Sequence, residues 1–223
     1  MSDIKQFDDT TVVTEPGMTF SYNTAEGLGP EPKETPTEEV KKLRDEPLDL
    51  YDDQLPLLSE TMPVYDEALP NANMRTLIAR MKMTMRKFGG IGLSANQCNV
   101  PTRMFLISHL GEEMVCINPK LIAFGQNDIK LDEGCLSFPG LILSVKRYED
   151  IDVEYQDENG ETVNKHLDGM LARCFQHELD HMNGIKFTSQ VSNLVLSLAK
   201  KKQDKLMKTE TRKQKNNFKW NEA

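Results

Sequence analysis

Two histidines and a glutamate in the second half of the sequence have a spacing that suits metal-dependent hydrolysis. The segment reads His177-Glu178-Leu179-Asp180-His181. Each residue of a helix turns by about 100°, so His177 and His181 lie about 40° apart and one turn along the axis, where two imidazoles can share an ion. Glu178 lies about 60° from His181 and can reach a water on that ion without binding the ion. The pattern predicts a metal centre with Glu178 as the proton carrier.

The residues around the two histidines indicate a buried helix. Phe175, Leu179 and Met182 recur at helical spacing. Burying two histidines and two acids without a function would be unfavourable. A chance match to a five-residue pattern, with both histidines on a solvated surface, is the alternative interpretation.

A catalytic site of this kind needs a third protein ligand and an open position for water. A metal-dependent endopeptidase would take a His or Glu from further along the chain. No His follows His181, however, and the two later glutamates, Glu210 and Glu222, lie in a polar tail. The upstream candidate is Cys135, in a segment where glycines and a Pro-Gly pair let the backbone turn and leave amide groups free. Cys135 is therefore the predicted third ligand, and a buried structural thiol is the alternative.

A run of small residues precedes this cysteine in the sequence. It reads Gly90-Ile91-Gly92-Leu93-Ser94-Ala95-Asn96-Gln97 and lacks the Lys-Ser/Thr ending of a phosphate-binding loop. The small side chains indicate close packing of the backbone against its neighbours. Gln97, the amide at the end of the run, is placed to donate a hydrogen bond.

Three segments together, GIGLSANQ, EGCLS and QHELDH, resemble the motifs of the peptide deformylases, in that family's order and at similar separations. The resemblance covers roughly residues 55–205. It implies that the chain removes the N-formyl group from the formyl-methionine of new polypeptides and releases formate. It also implies that Cys135, His177 and His181 bind the metal, and that Glu178 acts as general base and then as general acid.

The resemblance further implies how the substrate is held. Gln97 and the backbone N–H of Leu136 would stabilise the oxyanion of the tetrahedral intermediate. Ile91 and Gly92 would line the substrate site and form hydrogen bonds with the substrate, whose methionine side chain enters an apolar pocket. Ser94 stands where the first motif of the family usually has alanine, a small change that we expect the fold to tolerate.

Two residues of the histidine helix are predicted to form part of the methionine pocket. Cys174 and Met170 lie one and two helical turns before His177. Cys174 could also be a fourth metal ligand, but a fourth ligand would close the site to water. We therefore interpret Cys174 as a pocket wall.

The identity of the metal is open from the ligand types alone. A set of one Cys and two His suits Fe, Zn, Ni and Co, and spacing does not distinguish them. The resemblance implies one divalent cation, Fe(II) in the cell, with Ni(II), Co(II) or Zn(II) as alternatives. Because thiolate-bound Fe(II) is oxidisable, activity that decays in air is expected for Fe but not for Zn.

The composition favours a soluble protein whose two ends differ in charge. The 223 residues are 38% hydrophobic and 28% charged, with a net charge of −8 that does not favour DNA or other nucleic acid as a partner. Residues 1–60 carry 15 acidic and 5 basic residues, net −10, and residues 186–223 carry 10 basic and 3 acidic residues, net +7. No segment has the apolar length of a membrane helix or the pattern of a secretory or mitochondrial leader. We expect a cytoplasmic monomer, in the host cytoplasm if a phage encodes it, without disulfides.

The elements that would position the site belong to an α+β domain. Residues 1–50 are predicted to be an acidic, largely disordered extension with a short helix at 37–44, residues 51–208 the catalytic domain, and residues 209–223 a basic, frayed tail. Helices are predicted at 71–88, 168–183 and 189–208, and strands at 103–108, 114–117, 142–146, 151–155 and 162–166. This order predicts antiparallel or mixed sheets around a central HExxH helix, followed by a C-terminal helix, as in the peptide deformylases.

The C-terminal helix has two interpretations. It resembles the segment with which bacterial members of the family approach the ribosome, and Lys200, Lys201, Lys202, Lys205 and Lys208 would suit rRNA phosphates. A solvated helix face that balances an acidic body is the alternative. A catalytically silent homologue that binds ribosomes or another partner is a further hypothesis, beside a deformylase and an endopeptidase.

Overall fold

The structure, a computed structural model, describes the backbone of residues 46–220 and the side chains of residues 46–209. The predicted helix at 37–44 and most of the predicted extension lie outside the described residues. The helices are α1 (Ala72–Lys87), α2 (Gly169–Met182) and α3 (Asn193–Trp220). The strands are β1 (Gly92–Ser94), β2 (Met104–His109), β3 (Glu112–Phe124), β4 (Asp128–Gly134), β5 (Ile142–Tyr148), β6 (Asp150–Gln156) and β7 (Thr162–Asp168).

Helix α1 confirms its prediction at both ends. The side chain of Asn71 accepts a hydrogen bond from the backbone N–H of Met74 at 2.8 Å, which satisfies a donor that the first turn leaves unpaired. At the other end, Gly89 follows the C-cap residue Phe88 and adopts the left-handed conformation, at φ +68°, that commonly ends a helix. The buried stripe consists of Met74, Ile78, Met81 and Met85. Leu48 and Leu50, which the sequence analysis placed in the extension, pack against the same hydrophobic cluster.

Five strands form one antiparallel sheet in the order β1-β2-β3-β6-β7, and β4 pairs with β5 in a separate two-stranded sheet. All five predicted strands are present, and the turn between β6 and β7 is closed by the Gly160 N–H donating to Asp157 O at 3.1 Å. The sequence analysis missed β1, which has only three residues, and β4, whose residues are mostly exposed. Exposed strands carry little hydrophobic alternation, so composition alone does not reveal them.

Helix α2 packs against the five-stranded sheet and carries the predicted HExxH segment. The rings of Phe175 and Phe105 meet edge to face with centroids 5.0 Å apart. Cys174, Leu179 and Met182 belong to the same buried cluster. The helix ends where predicted, before Gly184 at φ +69°. These apolar contacts hold the helix against the sheet, and the two histidines therefore lie on a helix whose position is fixed.

Helix α3 differs from its prediction. It begins at Asn193 and continues to Trp220, whereas the sequence analysis ended it at Lys208 and expected a frayed tail. Lysine and glutamine are good helix formers, so a polar sequence without Gly or Pro can extend an exposed helix. Its inner face packs Leu196 and Ala199 against a cluster that includes Cys135. None of the helices in the described part of the chain is long and apolar enough to cross a membrane.

Candidate active site

Three residues from two parts of the sequence converge beside helix α2. His177 and His181 project from one face of the helix, and Cys135 follows the last residue of β4. Each offers one ligand atom, and these atoms all lie within 4.8 Å of one another. Cys135 Sγ lies 3.3 Å from His181 Nε2. The structure thus brings together the three residues that the sequence analysis selected as ligands, and all four cysteines of the chain, including Cys174, are free.

The donor set fits a divalent cation. With zinc-site bond lengths, a thiolate sulfur and an imidazole nitrogen that share a tetrahedral ion lie roughly 3.5 Å apart. The 3.3 Å between Cys135 and His181 is close to this value. His177 uses Nδ1 in a hydrogen bond with Glu133 at 3.1 Å, which leaves Nε2 for an ion. Glu178 Oε2 is buried without a hydrogen-bond partner among the described residues, as expected for an atom that meets a water at the site.

Glu133 lies behind His177 at the centre of a buried ionic network. It accepts hydrogen bonds from Arg147 at 3.0 and 3.1 Å and from Arg173 at 2.6 Å. Arg147 also pairs with Asp180, which lies on helix α2 between the two histidines. Burial opposes ionisation of Glu133, but hydrogen bonds from His177 and Arg147 outweigh it and lower the pKa to about 2. Ionised Glu133 therefore fixes the orientation of His177.

No role was predicted for this network from the sequence. Glu133 and the two arginines are far apart in sequence and meet only when β4, β5 and α2 pack together. One signal was present: Arg147 continues the inward positions of Leu143 and Val145 on β5, where an apolar residue would be expected. A charged residue at an inward position indicates a buried partner.

The two histidines have opposite pKa shifts. Burial tends to lower the pKa of His177, but hydrogen bonds with Cys135 and Glu133 raise it to about 10. Burial lowers the pKa of His181 well below its usual value. The surroundings of His177 therefore favour positive charge at this position, and a place that stabilises an imidazolium also stabilises a metal cation.

The pKa of Glu178 lies above the usual range of a carboxyl group. Burial raises it to about 7, and the positive charge of His177 and the hydroxyl of Ser94 partly offset that effect. A carboxyl group that titrates near neutral pH can both accept and return a proton. The side chain is 4% exposed and lines the cavity described below.

Gln97 is held in a short 3-10 helix, Ala95–Cys98, directly after β1. Its Nε2 donates to Ser137 Oγ at 3.1 Å and lies 3.4 Å from Cys135 Sγ. Among the described residues, the backbone N–H of Leu136 donates no hydrogen bond. Both donors line the cavity, next to the candidate ligands.

A cavity of about 580 Å³ opens beside the ligand cluster. Its walls include all four predicted substrate-pocket residues, Ile91, Gly92, Met170 and Cys174. A Cβ on Gly92 would overlap Glu178 Oε1 and lie 2.6 Å from Cys174 Sγ, so only glycine fits at this position. Ile91 and Met170 are partly exposed at the rim, whereas Cys174 is a buried part of the wall.

Comparisons with known proteins agree with this geometry. Residues 47–196 match the sequence model of the family Polypeptide deformylase. The peptide deformylase of Aquifex aeolicus is 40% identical over 142 residues, which are 61% of this chain and 83% of the relative. A peptide deformylase from Synechococcus elongatus, solved in complex with actinonin, superposes with a TM-score of 0.67 at 37% identity, over 71% of this chain and 86% of that one.

The crystal structure of the Thermotoga maritima peptide deformylase gives a TM-score of 0.63 at 32% identity, over 66% of this chain and 98% of that one. These likenesses confirm the predicted α+β fold. The family match includes all three candidate ligands. The chain therefore belongs to the polypeptide deformylase family, metal-dependent hydrolases that remove the N-formyl group from new polypeptides.

Proposed function

We propose that this chain hydrolyses the N-formyl group of formyl-methionyl polypeptides, with its divalent cation held by Cys135, His177 and His181. The observation that carries the proposal is the convergence of one thiol and two imidazoles beside Glu178 at the wall of a cavity. Bound there, the cation would supply a Lewis acid and lower the pKa of a coordinated water from about 15.7 towards 7. Fe(II) is the proposed ion in the cell, and the same ligands suit Ni(II), Co(II) and Zn(II).

Glu178 moves the proton in the proposed reaction. Its carboxylate accepts a proton from the water that attacks the formyl carbon. It then delivers that proton to the nitrogen of the departing amine as the C–N bond breaks, which leaves formate. The buried, unpartnered Oε2 and a pKa of about 7 support both steps.

Gln97 and the backbone N–H of Leu136 stabilise the charge that develops on the formyl oxygen. Both lie at the cavity next to Cys135, and donors aimed at a developing oxyanion stabilise the transition state more than the substrate. The methionine side chain occupies the part of the cavity that Ile91 and Cys174 line. Met170 closes this part of the cavity at the rim, and Gly92, which leaves room for the Glu178 carboxylate, forms hydrogen bonds with the substrate backbone.

The test is formate release from formyl-Met-Ala-Ser by protein reconstituted without oxygen with Fe(II), Ni(II) or Zn(II). Turnover is expected with Fe(II) or Ni(II). We expect Cys135→Ala to lose both metal and activity, and Glu178→Ala to keep the metal and lose activity. Acetyl-Met-Ala-Ser, which lacks the formyl group, is the matched control peptide and should not react.

Three outcomes would contradict the proposal. Folded, metal-loaded protein that releases no formate would favour a silent homologue, as would activity that Glu178→Ala leaves unchanged. Cleavage of internal bonds in casein would favour an endopeptidase, for which the described residues offer no later His or Glu ligand.

We also propose a monomer that acts in the cytoplasm and meets its substrate at the ribosome. Helix α3 supports this because Lys200, Lys201, Lys202, Lys205 and Lys208 are all exposed along it. Lysines at this density release counterions on binding rRNA phosphates, so binding should weaken steeply with salt.

Co-sedimentation with purified ribosomes tests this part of the proposal. Replacing Lys201, Lys202 and Lys205 with glutamine should weaken binding at low salt, while formate release from the free tripeptide stays unchanged. Equal co-sedimentation of the variant and the parent chain at every salt concentration would contradict a role for α3.

A further inference from the structure

The hydroxyl of Ser94 lies in contact with the proposed oxyanion donor. Ser94 Oγ donates to Gln97 Oε1 at 2.9 Å, and the backbone N–H of Ser94 donates to the same oxygen at 3.0 Å. Ser94 is fully buried, and Gln97 is 1% exposed, so water does not compete for these bonds.

We propose that Ser94 is a positioning residue that holds the Gln97 amide with its Nε2 directed at the reacting formyl oxygen. This inference rests on the proposed role of Gln97 as an oxyanion donor. Ser94 does not touch the substrate; its hydroxyl also lies beside Glu178, so the test separates an effect through Gln97 from one through Glu178.

An amide has one accepting and one donating end, which differ little in shape. The Ser94 N–H and Oγ–H both donate to Gln97 Oε1. If the amide were reversed, the Nε2 hydrogens would face these two donors and neither hydrogen bond could form. With Oε1 fixed there, Nε2 must point towards Ser137 and Cys135, from which it is 3.1 and 3.4 Å away. The hydroxyl thus orients the donor before the substrate arrives, which is the condition for oxyanion stabilisation without reorganisation.

Removal of the hydroxyl should loosen the amide without releasing it. In Ser94→Ala the backbone N–H still donates to Gln97 Oε1, so the preferred orientation remains but one of two restraints is lost. We expect kcat to fall about 3- to 10-fold, because the net contribution of one hydrogen bond corresponds to a factor of about this size. KM should change less than about twofold, since the oxyanion forms only in the transition state.

The test is a double-mutant cycle of Ser94→Ala and Gln97→Ala on the metal-loaded chain. Gln97→Ala alone should lower kcat by about 10²- to 10³-fold, the usual effect of an oxyanion donor. Ser94→Ala should then have no further effect in the Gln97→Ala background, because the side chain through which it acts is gone. In the zinc-loaded protein, the side-chain ¹⁵N resonance of Gln97 should broaden in Ser94→Ala, which measures the loosened amide without reference to activity.

Thr84→Val is the matched control. Thr84 is a fully buried residue whose hydroxyl donates to Leu48 O at 2.9 Å, and it does not line the cavity. Its loss should lower the melting temperature while kcat stays unchanged. A fall in kcat for Ser94→Ala at a similar melting temperature would therefore not be a general effect of losing a buried hydroxyl.

Three results would overturn the inference. An unchanged kcat in Ser94→Ala, with a large loss in Gln97→Ala, would refute the role of Ser94 and leave the proposed function intact. An equal fall in both backgrounds would show that Ser94 acts through another group, such as the neighbouring Glu178. An unchanged kcat in Gln97→Ala would refute the oxyanion role of Gln97 and, with it, the basis of the inference.

Discussion

The ion pairs behind the site and those on the protein surface have similar distances but different surroundings. Arg147 and Glu133 are 3.0 Å apart with side chains 6% and 5% exposed. Lys165 and Glu112 are 2.8 Å apart with side chains 37% and 49% exposed. Water screens the surface pair, whereas the buried charges have only each other. Burial, and not the distance between the charged atoms, therefore determines which carboxylate contributes to the stability of the fold and to the site.

The buried network has a further consequence for the site. Glu133 joins two arginines to His177, so its charge holds a candidate ligand as well as the surrounding strands. Neither Lys165 nor Glu112 lines the cavity beside the candidate ligands. Substitutions in the two regions should therefore differ in both stability and metal affinity.

The largest effect is expected from Glu133→Gln. The substitution keeps the shape of the side chain but leaves Arg147 and Arg173 buried without their shared counter-charge. We expect the free energy of unfolding to fall by about 3–5 kcal/mol, as for other broken buried pairs. Urea unfolding followed by circular dichroism measures this, with Glu112→Gln as the exposed control. A Glu133→Gln protein as stable as the control would contradict the comparison.

An acid titration should give the next largest effect. Glu133 has a folded-state pKa of about 2 against an ordinary value of 4.5. Because the folded-state value is the lower one, its stabilisation is complete above pH 4.5 and is lost as the pH falls towards 2. The shift corresponds to about 3 kcal/mol.

The measurement is the free energy of unfolding between pH 2 and 6 for the parent chain and Glu133→Gln. The difference between the two proteins should shrink as the pH falls. A difference that stays constant over this range would mean that Glu133 has the same pKa in both states.

The smallest effect is expected from Lys165→Ala. The pair with Glu112 is exposed, so its loss should change the free energy of unfolding by less than about 0.5 kcal/mol. The same urea experiment at low and high salt measures it. A loss above 1 kcal/mol, on the order of a buried hydrogen bond, would show that exposure does not weaken this pair as we expect.

The site could be predicted from the sequence wherever the signal was local. His177, Glu178 and His181 lie within five residues, so helical geometry alone places them on adjacent faces. Asn71 and Gly184 mark helix ends through backbone requirements that short sequences reveal. The alternation of Ile151, Val153 and Tyr155 likewise indicated β6.

Features that depend on distant contacts could not be predicted. Glu133, Arg147 and Arg173 are ordinary surface residue types until three elements bring them together, and only the inward position of Arg147 on β5 indicates burial. The bond from Ser94 to Gln97 depends on a 3-10 turn that a run of small residues does not specify. Helix α3 was predicted too short because a polar composition was taken to mean fraying, although its residues have high helix propensity.

The most direct test of the central claim is the absorption spectrum of the cobalt-substituted protein. A thiolate ligand gives Co(II) a sulfur-to-metal charge-transfer band in the near ultraviolet. The account predicts this band, with one cobalt per chain, in the parent protein and in Glu178→Gln, and its loss in Cys135→Ala. A band that persists in Cys135→Ala but disappears in Cys174→Ala would contradict the account, because the other thiol of the cavity would then be the ligand.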